Sequence, residues 1–82
     1  MARKNRAAAE VSHRTVEVLL KEVSEQSRNY EKALDRLLRN KPGTGAYEGS
    51  LGKVWAEAEV LATKAEHASK VIDEYTEGLP ER

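Results

Sequence analysis

Apolar side chains recur at alternating spacings of three and four through most of this chain, and the pattern is broken in one place only. In the first half Ala9, Val16, Val23, Tyr30 and Leu37 repeat every seven residues, with His13, Leu20, Ser27 and Leu34 interleaved. In the second half Leu51, Ala58, Ala65 and Ile72 form one series and Val54, Leu61, Ala68 and Tyr75 the other. A seven-residue apolar repeat held over several turns requires long helices lying nearly parallel. The break is Asn40-Lys41-Pro42-Gly43-Thr44-Gly45, followed by Gly49-Ser50 and Gly52. Proline disfavours helical backbone at the residue before it, and glycine supplies turn geometry.

The fold class read from this is all-α: a two-helix antiparallel hairpin, coiled-coil-like, assembling as a four-helix bundle. The expected organisation is a flexible basic N-terminus over 1–5, a first helix over 6–40, a Pro/Gly-rich loop over 41–50, a second helix over 51–77 and a tail over 78–82. Ser50 is the expected N-cap of the second helix, with Thr44 as an earlier candidate; Gly78 and Pro80 mark its end. Folding the chain at that loop sets Leu37 against Val54, Tyr30 against Leu61, Leu20 against Ile72 and Val16 against Tyr75. Residues 3–14 then overhang. The expected core is Leu20, Val23, Tyr30, Leu34, Leu37, Val54, Leu61 and Ile72.

Composition matters here because it makes such a hairpin thin. In 82 residues there is no Phe and no Cys, and the apolar positions are mainly Ala, Val and Leu. Ordering a residue costs about 1.5 kcal/mol, and small side chains return little at roughly 25 cal/mol per Å² buried. A lone hairpin of this kind is marginal. The apolar stripe is also wider than one seam, since Leu19 and Ala33 flank it on the first helix and Trp55, Ala62, Ser69 and Thr76 on the second. The expected intermolecular surface is Leu19, Leu38, Trp55 and Ala62. The expected partner is a second copy, giving a homodimer, or a helical protein that lays a helix on the same face.

Charge is neutral overall but unevenly spread. Residues 1–41 hold ten Lys/Arg against six Asp/Glu, a net of +4; residues 42–82 hold four against eight, a net of −4. Opposite halves favour lying side by side. The basic residues Arg3, Lys4, Arg6 and Arg14 support an alternative function, a nucleic-acid-associated regulator whose contacts would be salt-sensitive. Ala7, Ala8 and Ala9 beside them offer too little apolar bulk for a membrane-surface helix, and no segment has the apolar length of a span. They also supply no apolar core of a signal peptide, and with no Cys the expected location is cytoplasmic.

Chemical motifs are weak. Glu10-Val11-Ser12-His13 has the Glu-x-x-His spacing of di-iron bundles, which need a second such motif; Lys64 stands where the acid before His67 would be. Gly52-Lys53 is followed by Val54, where a phosphate loop needs Ser or Thr for magnesium, and no strand precedes it. The acids are expected on outer faces, away from any cleft. No catalytic residue, metal, cofactor or small-molecule substrate is therefore assigned, and the chain is read as non-enzymatic: an adaptor, co-chaperone, inhibitor or regulator acting by protein contact. In outline it is similar to small bacterial helical hairpins such as the Rop-type dimer, and in size and loop character to type III secretion needle subunits and their co-chaperones. That outline implies a second alternative, a small subunit or co-chaperone of a larger assembly such as a secretion apparatus. Needle subunits typically carry a Pro-x-x-Pro turn, whereas Pro42 stands alone with Gly43, so no residue role carries over.

Overall fold

The computed structural model describes residues 11–79. They form two helices, α1 (His13–Arg39) and α2 (Gly45–Glu77), packed side by side as an antiparallel hairpin with no strand among the described residues. The molecule measures 61 × 17 × 16 Å with a radius of gyration of 18.3 Å. A globule of this length would have about 12 Å, so there is one layer of two helices and nothing stacked on it.

Three of the four helix ends are held by a short polar side chain, and the end of α2 is closed by the Gly78 backbone N–H on Glu74 O. Ser12 Oγ accepts from Thr15 N–H at 3.1 Å to start α1, and Thr44 Oγ1 accepts from Tyr47 N–H at 3.1 Å to start α2. Both satisfy amides that have no partner within the helix. Val11 and Ser12 are not helical, so α1 opens later than the expected start at residue 6; residues 6–10 lie outside the described residues. At the other end of α1, Asn40 closes the helix. Its side-chain amide donates to Arg36 O at 3.2 Å, to Ala46 O at 3.4 Å and to Ser50 Oγ at 2.9 Å. One side chain thus ties the last turn of α1 to the first turns of α2.

The connection is residues 41–44, much shorter than the expected 41–50. Thr44 N–H donates to Lys41 O at 3.3 Å, and Gly43 has φ +89°. Pro followed by a positive-φ Gly at the two central positions is the signature of a type II turn. Gly45, Gly49 and Gly52 lie inside α2. Thr44, the earlier of the two candidate caps, starts the helix, and Ser50 is a helical residue bonded to Asn40.

The shorter loop moves the pairing of the helices by one heptad. With Arg39 and Gly45 level at the turn, Tyr30 comes level with Val54 rather than Leu61, and Val16 with Ala68 rather than Tyr75. Gln26 fixes this register: its amide donates to Glu57 O at 3.1 Å and to the Glu57 carboxylate. A one-heptad slip would separate the two by about 10 Å, beyond reach. The shift also removes the expected overhang at its inner end, because the His13 and Tyr75 rings lie 6.3 Å apart.

The seam is rotated as well as shifted. The series Val16, Val23, Tyr30, Leu37 and the series Val54, Leu61, Ala68, Tyr75 face the partner helix, as expected. Their companions are Leu19, Gln26, Ala33 and Asn40 on α1, and Ser50, Glu57, Lys64 and Val71 on α2. Leu20 and Ile72, expected in the core, are exposed; Leu19 and Ala33, expected at the flank, are in the seam. Among the described residues only Ala33, Leu37, Ala68 and Gln26 are buried, while Val23, Tyr30, Leu34, Val54 and Leu61 are half-buried. Gln26 is the buried polar residue of the seam, and among the described residues every buried polar side-chain atom has a partner, so the penalty of an unpaired buried group is avoided.

Glu57 corrects the expectation that the acids lie outside. Its side chain is 17% exposed and is paired with Lys53 Nζ at 3.0 Å. The hydrogen bonds from Gln26 and then Lys53 hold its carboxyl below the usual glutamate range, against an opposing push from desolvation. The unfolded chain therefore takes up this proton at a higher pH than the folded one, and stability falls as the pH drops through the ordinary glutamate range.

Two measurements check this description. Gly43→Ala forces a side chain into positive φ and should destabilise by about 1–2 kcal/mol, whereas Gly49→Ala, with open space at its Cβ, should stabilise by about 0.8–1 kcal/mol through helix propensity. Urea unfolding reads both, and equal signs would refute the turn assignment. Thermal unfolding between about pH 6 and pH 3 should lose stability more steeply in the native chain than in Glu57→Gln; parallel curves would remove Glu57 from the acid dependence.

Candidate interaction face

Rotation of the seam decides what is left outside. Residues beside a seam fall on one of two flanks of the hairpin. Asn29 and Arg36 of α1 line a shallow trough with Lys53 and Glu57 of α2, so the rows Glu22, Asn29, Arg36 and Lys53, Val60, His67, Glu74 share one flank. In an antiparallel pair the remaining near rows must share the other. These are Leu20, Ser27, Leu34 on α1 and Leu51, Ala58, Ala65, Ile72 on α2.

The two flanks differ in chemistry. The first is polar or charged except for Val60. The second is apolar except for Ser27 and, at the start of α1, His13. Leu20, Leu51 and Ile72 are large apolar residues exposed on it. The next row of α2 continues the same surface with Trp55, Ala62, Ser69 and Thr76. Trp55 is 66% exposed. On α1 the next row is Glu17, Ser24, Glu31 and Leu38, so the apolar surface there narrows to its loop end, where Leu38 is 76% exposed beside Leu34. A contiguous apolar strip of this kind is what a water-soluble surface otherwise avoids.

Of the four residues expected to meet a partner, three therefore lie on this flank: Leu38, Trp55 and Ala62. Leu19 does not, being half-buried in the seam. Sequence reasoning missed Leu20, Leu51 and Ile72 as surface residues by assigning Leu20 and Ile72 to the core and Leu51 to a seam series. A signal was available in the tandem apolar pairs Leu19-Leu20, Ala33-Leu34, Leu37-Leu38 and Val71-Ile72. Adjacent residues are about 100° apart on a helix, so a single seam cannot cover both.

The basic arm is not brought into any site. Arg14 is exposed in the first turn of α1, and Arg3, Lys4 and Arg6 lie outside the described residues, as does Glu10 of the Glu-x-x-His spacing. No group of three His, Asp or Glu among the described residues is placed to hold a metal. A second depression, lined by Glu59, Val60, Thr63 and Lys64, is an open trough along α2 alone. No helix among the described residues is long and apolar enough to cross a membrane. Compared with known protein families, curated proteins and solved structures, the chain has no match.

Proposed function

We propose that this chain is a non-enzymatic protein–protein interaction module whose working surface is the apolar flank of the hairpin, and that it completes its core by pairing that flank with a second copy. The observation that carries the reading is the gathering of exposed Leu20, Leu51, Trp55 and Ile72 on one flank, while the other side exposes only Val18 and Val60 among the described large apolar residues. A solvated hairpin would spread such residues singly over its surface. The thin seam adds to this: with so few fully buried side chains, further apolar burial is the available source of stability. Docking two such flanks gives a four-helix bundle with each helix contacting two neighbours. Adaptor, co-chaperone and regulator are all roles open to such a module, in the cytoplasm or in a larger helical assembly.

Trp55 is the chain's single tryptophan, so its fluorescence reports on the flank directly. Across a dilution series the solution mass should be twice that of the chain at high concentration, with Trp55 emission shifted to the blue. Mass, emission and helicity should fall together on dilution. Trp55→Ala should raise the dissociation constant by at least about tenfold, as central interface aromatics do. A folded monomer at every concentration, with solvent-exposed emission, would overturn the self-association reading.

A further inference from the structure

The structure assigns the geometry of the second copy: two hairpins lie flank to flank about a two-fold axis parallel to the helices, with both loops at the same end and α1 of each against α2 of the other. This rests on the self-association reading above and adds the arrangement to it.

Only two symmetric arrangements bring the same flank of two hairpins together. An axis along the helices sets α1 against α2 of the partner copy. An axis across them sets α1 against α1 and α2 against α2, with the loops at opposite ends. Charge distinguishes the two. The strip formed by the rows of Leu20 and Glu17 on α1, and of Leu51 and Trp55 on α2, is centred about 100° round each helix axis from the seam. That is close to the right angle a square bundle needs. The row bordering the strip on its outer side is Arg14, Lys21, Arg28 and, near the loop, Asp35 on α1. On α2 it is Glu59, Glu66 and Asp73, with Gly52 near the loop. All seven charged residues are exposed. Within one hairpin these rows point away from the seam and from each other, and Arg28 donates only to Ser24 Oγ of its own helix, at 3.1 Å. Residues bordering a helical seam set partner choice and orientation through their charges.

With the axis along the helices, levels are preserved between copies. Arg14 then lies within three residues of level with Asp73, as do Lys21 with Glu66 and Arg28 with Glu59. Three residues are about 4.5 Å along the axis, within the reach of these side chains. The strip itself fits in the same register: Leu20 comes level with Ala65, Ser27 with Ala58 and Leu34 with Leu51. With the axis across the helices, the α1 row, net basic despite Asp35, would face its own copy, and the acidic α2 row would face its own. Like charges so placed disfavour the pairing.

The absence of cysteine allows a clean test. A spin label on Lys41→Cys, exposed in the loop, should give an intermolecular distance of roughly 15–25 Å, from helices spaced about 10 Å apart. Loops at opposite ends would give a distance approaching the 61 Å length. The triple variant Arg14→Glu, Lys21→Glu, Arg28→Glu should weaken the dimer at least about tenfold at low salt, with the loss shrinking at high salt. Adding Glu59→Lys, Glu66→Lys and Asp73→Lys to it should restore the dimer. A dimer with the long distance, or one indifferent to the triple reversal, overturns the arrangement and leaves self-association standing. A monomer overturns both.

Discussion

The amide of Gln26, donating to the backbone and side chain of Glu57, is the contact on which the rest of the structure depends. A seven-residue repeat pairs almost as well with itself after a slip of seven, and the apolar layers alone discriminate weakly between such registers. Polar groups do discriminate. One heptad away Glu57 would meet Ala33 and lose its donor, and Gln26 would meet the Lys64 ammonium, which offers its amide N–H no acceptor. Asn29 donates to Gln26 Oε1 at 3.3 Å and Lys53 pairs with Glu57, so both side chains are held in place as well as matched. A single polar residue in a helical seam is a well-attested means of fixing register.

That pair also fixes rotation. To bring Gln26 and Glu57 into the seam, each helix turns so that Leu19, Ala33 and Val71 follow them inward. Leu20, Leu51 and Ile72 are then carried outward to one flank. Had the helices turned to bury Leu20 and Ile72, Gln26 and Glu57 would lie outside and the hairpin would keep more apolar contact of its own. The observed rotation thus favours a specific pairing over the largest intramolecular core. It leaves the apolar surplus in one continuous strip.

Much of this was legible in the sequence, and what was not has physical causes. The breaker cluster at Asn40–Gly45 located the turn, and the Val16 and Val54 series gave the helical faces that meet. The loop length was misjudged because Gly49 and Gly52 count as breakers by composition. Each costs only about 1 kcal/mol on an exposed helical face, and the Thr44 cap with the uninterrupted period outweighs them. The companion series were misjudged because apolarity favoured Leu20 over Leu19's row, which contains Gln26. Seeing the polar pair required knowing the register, and the register required knowing the loop. Trp55 and Ala62 lie beside the seam, where the width of the stripe put them, and Leu38 lies on the same flank.

Charge patterning operates at a different scale from the Gln26–Glu57 pair. That pair is partly shielded within the seam. The rows Arg14, Lys21, Arg28 and Glu59, Glu66, Asp73 are solvated, so each individual pairing between them is weak. Their effect is collective, and it falls on choosing between arrangements rather than on stabilising any one of them. Apolar burial supplies the larger driving force for association but has little directional preference; the leucines and alanines of the flank would accept either two-fold axis. In the assembly proposed, the seam sets which residues are left outside, the flank sets that two copies meet, and the outer charges set how. In that proposed assembly a hairpin with so few buried side chains would gain its remaining stability on meeting its second copy, so its folded population would rise with concentration and folding and binding would become one equilibrium.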